Sequence, residues 1–193
     1  MSLIVFDIET IGDIRNHDDL KITVVSICDV EFDKYKSFEE HELGELWPIL
    51  EKADCTIGYN SESFDIPILN KYYTGDLTKI PHIDILKIIR ESTGKRFKLN
   101  DIAKATLQIE KSADGLQAQE WFREGKMDEI KKYCEQDVRV TKEIYLFGKK
   151  NRMLYYPSLT GALQPFAVNF DLPKTSEQTQ AEQGSGFNLT LPF

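Results

Sequence analysis

Cysteine and histidine are scarce in this chain of 193 residues, with three of each. Cys28, Cys55 and Cys134 form no CxxC pair, and so odd and scattered a set argues against a disulfide framework. His17, His41 and His82 stand far apart, which argues against a zinc site. Long apolar runs are missing as well. The opening MSLIVF is cut off by Asp7, too early for a signal peptide's apolar region and far too early to span a bilayer. No later stretch approaches membrane length, so the expected location is cytoplasmic. There is no internal repeat. A surplus of basic residues is also lacking: the net charge is −8, the wrong sign for binding nucleic acid through a basic face. Two points soften that exclusion. Divalent ions reverse the local sign of an acidic cluster, and cations are bunched at Lys95, Arg96 and Lys98 and at Lys149, Lys150 and Arg152. A solvated loop or helix end accounts equally well for either bunch.

What the chain does have is an ordinary globular composition, 41% hydrophobic and 29% charged, enough for one domain with a real core. LIVFDI (3–8) is a continuous apolar run with an acid near its end, the pattern of a buried central strand. TVVSICDV (23–30) and residues 34–38 predict two further strands that complete an opening meander. Residues 43–52 read as a helix and CTIGY (55–59) as a short buried strand. A helix is predicted from Ile66 to Tyr73, with Pro67 in its first turn, where a missing N–H costs nothing. HIDIL (82–86) is a strand leading into a helix. LNDIAKATL (99–107), Gln117–Arg123 and Met127–Phe147 read as helices, and Arg152–Tyr156 with Phe166–Phe170 as a closing pair of strands. Strands first, then strands alternating with helices, indicate an α/β sheet with one antiparallel portion. The domain is expected over residues 1–170. Residues 171–186, poor in large apolar side chains and rich in Gln, Ser, Thr and Glu, read as a flexible linker. Residues 187–193 form an apolar terminal peptide.

The acids are the unusual feature. Asp7 and Glu9 alternate with Ile8 on a strand, so both carboxylates share one face. At a separation of about 4 Å and an effective dielectric near 20, their repulsion is on the order of 4 kcal/mol. A cation would relieve it; so would solvation at an exposed strand end. On the long helix, Ile130, Cys134, Thr141, Ile144 and Gly148 mark a packed stripe, and Asp137 falls on it. A carboxylate there is costly unless it is paired or bound to metal. Tyr133 lies one turn earlier on the same side, as a core aromatic or as a hydroxyl beside Asp137. Asp65 precedes Ile66 and Pro67, where an aspartate commonly caps a helix. Asp84 sits in a strand and could compete for the site, but its sequence neighbours offer it no partner.

Together these pieces match one family. FDIET (6–10), GYNSESFDIPIL (58–69) and YCEQDVRVT (133–141) resemble, in order and spacing, the three motifs of the DnaQ-like, or DEDD, exonuclease superfamily. The third motif has the Tyr-x-x-x-Asp form, as in the domains attached to family B DNA polymerases. The resemblance implies an RNase H-like fold with a five-stranded mixed sheet whose second strand is antiparallel. It also implies two divalent ions, Mg²⁺ or Mn²⁺, for which oxygen ligands are suited. By position, Asp7 would bridge both ions, Glu9 and Asp137 would hold the one that activates water, and Asp65 would act largely through water. Tyr133 would orient the attacking water, and Thr10 and Asn60 would contact the terminal nucleotide. The implied activity is 3′–5′ exonucleolysis of DNA, releasing nucleoside 5′-monophosphates, in repair or in proofreading for a polymerase on a separate chain. An RNA-processing exonuclease would use the same residues, and a non-catalytic nucleic-acid or clamp adaptor could keep the fold.

The last six residues, NLTLPF (188–193), resemble the bacterial sliding-clamp-binding peptide, commonly Gln-Leu-Ser-Leu-Pro-Leu. Leu189, Leu191 and Phe193 supply the apolar positions, while Asn188 and Thr190 depart from the common form. An apolar peptide on a flexible tether suits a groove-binding tail; folding back on its own domain is the alternative.

Overall fold

Five strands make the central sheet: β1 (Leu3–Ile11), β2 (Lys21–Asp29), β3 (Lys34–Glu39), β4 (Cys55–Gly58) and β5 (His82–Asp84). This is seen in a computed structural model that describes residues 1–109, 115–158 and 160–172. The strand order is β3-β2-β1-β4-β5. The meander β1–β2–β3 pairs antiparallel, whereas β4 runs parallel to both β1 and β5. The expected mixed sheet with an antiparallel second strand is therefore present. The linker from residue 173 onward and the terminal peptide with Leu189, Leu191 and Phe193 lie outside the described residues.

Alternation along β1 assigns each side of the sheet. Ile4, Phe6 and Ile8 point into a core shared with α1 (Leu43–Glu51) and α2 (Asp65–Leu69). Val5 points the other way, into a second core with α3 (Ile85–Thr93), α4 (Leu99–Leu107) and α6 (Met127–Asn151). Full burial of each such aliphatic side chain contributes about 1.5–3 kcal/mol. Asp7 and Glu9 share the parity of Val5 and so face α6. A shorter helix, α5 (Gly115–Arg123), precedes α6 and packs on it and on β1. Among the described residues, no helix is long and apolar enough to cross a membrane.

Most boundaries shift from expectation by one to four residues, and two differences change how residues pack. α2 ends at Leu69 instead of Tyr73, because past it Lys71 N and Tyr72 N donate to the carbonyls three residues back, Ile68 and Leu69, and the Asn70 side chain accepts the Leu77 N–H at 2.9 Å. The closing strands are β6 (Met153–Pro157) and β7 (Leu163–Ala167), a separate two-stranded sheet. A turn in which Gly161 takes φ +82° sets their register, pairing Leu154 with Phe166. Val168 and Phe170 are left beyond the ladder and are buried against α6 instead. Gly148 makes room there, since a Cβ at that position would collide with the Phe170 ring.

Candidate active site

The acidic residues converge where β1 and β4 part. Pairing between these strands ends at Val5–Ile57, while β1 runs on to Ile11 along β2. This divergence at the carboxyl edge of the parallel strands is where α/β sheets place ligand crevices. A register shift between Glu9 and Thr10 bends β1 just past the acids, as bulges beside functional sites commonly do. Thr23 Oγ1 donates to the Glu9 carbonyl at 3.0 Å and ties the bend to β2.

Asp7 and Glu9 meet Asp137, which α6 brings across the sheet. Carboxylate oxygens of the three lie within 4.8 Å of one another, with Asp137 buried and the other two half-buried. Solvation at an exposed strand end therefore does not describe the Asp7–Glu9 pair. Three acids this close repel strongly in a medium of reduced dielectric, and an all-oxygen donor set suits a hard divalent cation. Tyr133, one turn before Asp137, is only 7% exposed. Its ring meets Trp121 of α5 edge-on, with centroids 6.0 Å apart.

Asp65 stands outside that trio. It is the first residue of α2, Phe64 occupies the cap position, and no side-chain cap bond is made, which disposes of the capping alternative. Its side chain is buried, with its own backbone N–H and that of Ile8, between Asp7 and Glu9 on β1, near enough to favour its charged form. Burial, reinforced by the charge of Asp84, nevertheless pushes its pKa up to about 7. A buried carboxylate perturbed in this direction beside other acids is a candidate functional position.

Cys134 is a contributor that the helix pattern presented only as packing. Its thiol lies 3.3 Å from the Asp7 carbonyl and 3.7 Å from Asp7 Oδ2. Burial first, and then the charges of Asp7 and Glu9, hold its pKa well above the ordinary thiol range. The group stays protonated and donates toward Asp7. Only its position three residues before Asp137 on the buried stripe hinted at this.

The reading of Asp84 as lacking a partner is corrected. Asp84 caps α3, accepting from Leu86 N and Lys87 N at 2.9 and 3.2 Å. It also accepts from Asn60 N at 2.9 Å and Glu62 N at 3.0 Å. An aspartate just before an apolar helix was itself the cap signal; the two long-range bonds had no local trace. Thr10 follows Glu9 directly past the bend. Asn60 lies on the loop before α2 and lines a cleft of about 540 Å³ with Ser63, Lys87 and Arg90.

A mixed α/β sheet carrying an acidic trio at its carboxyl edge defines the class. The chain belongs to the RNase H superfamily, whose model matches residues 4–147. Its fold is shared with the family B DNA polymerase of the hyperthermophilic archaeon Pyrobaculum calidifontis: TM-score 0.60 at 16% identity over 78% of this chain and 24% of that one. Phi29 DNA polymerase complexed with single-stranded DNA is also similar, with TM-score 0.52 at 14% identity over 78% of this chain and 31% of that one. The same polymerase in its ternary complex with primer-template DNA and incoming nucleotide gives 0.51 at 15% identity, with the same coverage. The chain thus spans a quarter to a third of the length of these polymerases. A search among curated proteins finds no sequence match. The family reading made from the three motifs is borne out.

Proposed function

We propose that this domain is a metal-dependent 3′–5′ exonuclease acting on DNA, with Asp7, Glu9 and Asp137 as the metal-holding carboxylates and Asp65 supporting them. The observation that carries this is the trio itself, three carboxylates within 4.8 Å on two elements fastened to a hydrophobic core. Divalent ions bound there would supply Lewis acidity to a phosphodiester and lower the pKa of a water. The chain's own residues do the rest. Cys134 holds the Asp7 carboxylate in place, Asp65 keeps a buried carboxyl against the β1 backbone, and the Tyr133 hydroxyl orients the attacking water. Thr10 and Asn60 contact the terminal nucleotide. DNA is favoured as substrate because the similar structures are DNA polymerases, one of them bound to single-stranded DNA.

The test uses end-labelled single-stranded DNA, duplex DNA and RNA, each with Mg²⁺, Mn²⁺ or EDTA. Single-stranded DNA should shorten fastest, with metal only, and Tyr133→Phe should slow turnover by about 10²-fold, the usual cost of losing the positioning of a reacting group. Faster loss of RNA would move the domain to RNA processing, and no degradation at all would make it an adaptor. The terminal peptide is proposed to recruit the enzyme to a sliding clamp. A pull-down with purified clamp should capture the intact chain and lose a truncation after Gly186; equal capture of both would end that idea.

A further inference from the structure

The loop joining β4 to α2 is built with more care than a connection needs. Asn60 takes the left-handed conformation, φ +67°, which asparagine tolerates better than most residues but still at a cost. Three sets of contacts hold it there. From behind, Asp84 Oδ1 accepts from Asn60 N and Oδ2 from Glu62 N. From below, His82 is locked between Thr56 Oγ1 and Ser61 Oγ, each 2.8 Å from a ring nitrogen. From outside, Arg96 donates to the Asn60 side-chain oxygen at 2.7 Å.

Folding alone does not call for this arrangement. Capping α3 requires only the bonds from Leu86 and Lys87; the other two N–H groups lie 24 and 22 residues back along the chain. Only a carboxylate has two acceptor oxygens to serve all four donors. The Arg96–Asn60 bond is at the surface, where a polar contact adds little to stability. What the two bonds do is aim one side chain. With Oδ1 taken by Arg96, Nδ2 is the donor left on the amide of Asn60, a residue that lines the cleft.

We infer that Asp84 and Arg96 are positioning residues that fix the Asn60 amide, from opposite sides, as a donor to an oxygen of the terminal nucleotide. This rests on the proposed exonuclease function. Asp84 sets the backbone of the loop and Arg96 sets the rotation of the amide, so both act through Asn60 and neither touches the strand.

The experiment measures KM and kcat on 5′-labelled single-stranded DNA. The variants are Asp84→Asn, Arg96→Ala, Asn60→Ala and the two doubles that include Asn60→Ala. Asp84→Asn and Arg96→Ala should each raise KM about tenfold with kcat within about threefold, the signature of lost ground-state positioning. The Mn²⁺-induced rise in melting temperature should persist in both. Added to Asn60→Ala, neither should change KM further, because residues acting through one group are not additive. Unchanged KM in the single variants would overturn the inference. So would effects that multiply with Asn60→Ala, which would make Arg96 a direct strand contact and Asp84 a helix cap only. If Asp84→Asn does not fold, exposed Arg96 decides the matter by the same comparison. A parent protein that degrades no strand overturns the proposed function and this inference with it; an active parent with indifferent variants overturns the inference alone.

Discussion

Asp65→Asn should make the metal-free protein more stable at pH 8 while slowing the nuclease. The sign follows from where the proton sits. With a folded pKa raised to about 7 from an ordinary 3.8, the native state keeps a proton that the unfolded chain has released. Stability therefore falls as pH climbs from about 4 to about 7 and stays reduced above that. The penalty is on the order of 4 kcal/mol. An asparagine removes the charge but accepts hydrogen bonds less well, leaving a net gain of roughly 2 kcal/mol, or about 4–8 °C in a domain of this size. Thermal melts at pH 8 and pH 4 in EDTA check it: the variant should lead at pH 8, and the order should reverse at pH 4, where the penalty is gone and only the weaker hydrogen bonding of the asparagine remains. A wild type that is the more stable at pH 8 would contradict the burial argument. Activity should drop by about 10- to 100-fold, the usual cost of losing a supporting residue next to a metal site. A larger loss would place Asp65 among the direct ligands.

Manganese should raise the melting temperature of the wild type and leave Asp7→Ala almost unmoved. Asp7, Glu9 and Asp137 are crowded within 4.8 Å, so a cation that relieves their repulsion binds the folded state alone. At a hundredfold excess over its dissociation constant, one ion stabilises by about 2.7 kcal/mol, which corresponds to roughly 5–10 °C. Removing Asp7 lowers both the repulsion and the affinity, so the metal-free variant should melt no lower than the wild type by more than its lost packing. No shift at saturating Mn²⁺, or an equal shift in Asp7→Ala, would show that the cluster does not hold metal.

Much of this was legible in the residues. Period-two alternation put Asp7 and Glu9 on one side of β1, and period-3.6 spacing put Asp137 on the buried stripe of α6, because both rules are local geometry. The mixed sheet followed from the order of short apolar runs and helices. The role of Asp65 was not legible: a carboxylate before Ile66 and Pro67 looks the same whether it caps a helix or turns toward β1. For Asp84 the sequence does carry the cap signal, an aspartate just ahead of an apolar helix, but a single sequence carries no mark of its tertiary partners at Asn60 and Glu62. In sequence Cys134 reads as packing, since a buried thiol and a donor to Asp7 have the same hydropathy. The closing hairpin slipped because turn geometry at Gly161, not strand propensity, sets its register.

The most direct test is a time course on one 5′-labelled single-stranded DNA with Mn²⁺, comparing wild type and Asp7→Ala prepared side by side. The account predicts a ladder that loses one nucleotide at a time from the 3′ end in the wild type, is abolished by EDTA, and is missing in the variant. A ladder that persists in EDTA, or one that Asp7→Ala reproduces, would contradict it.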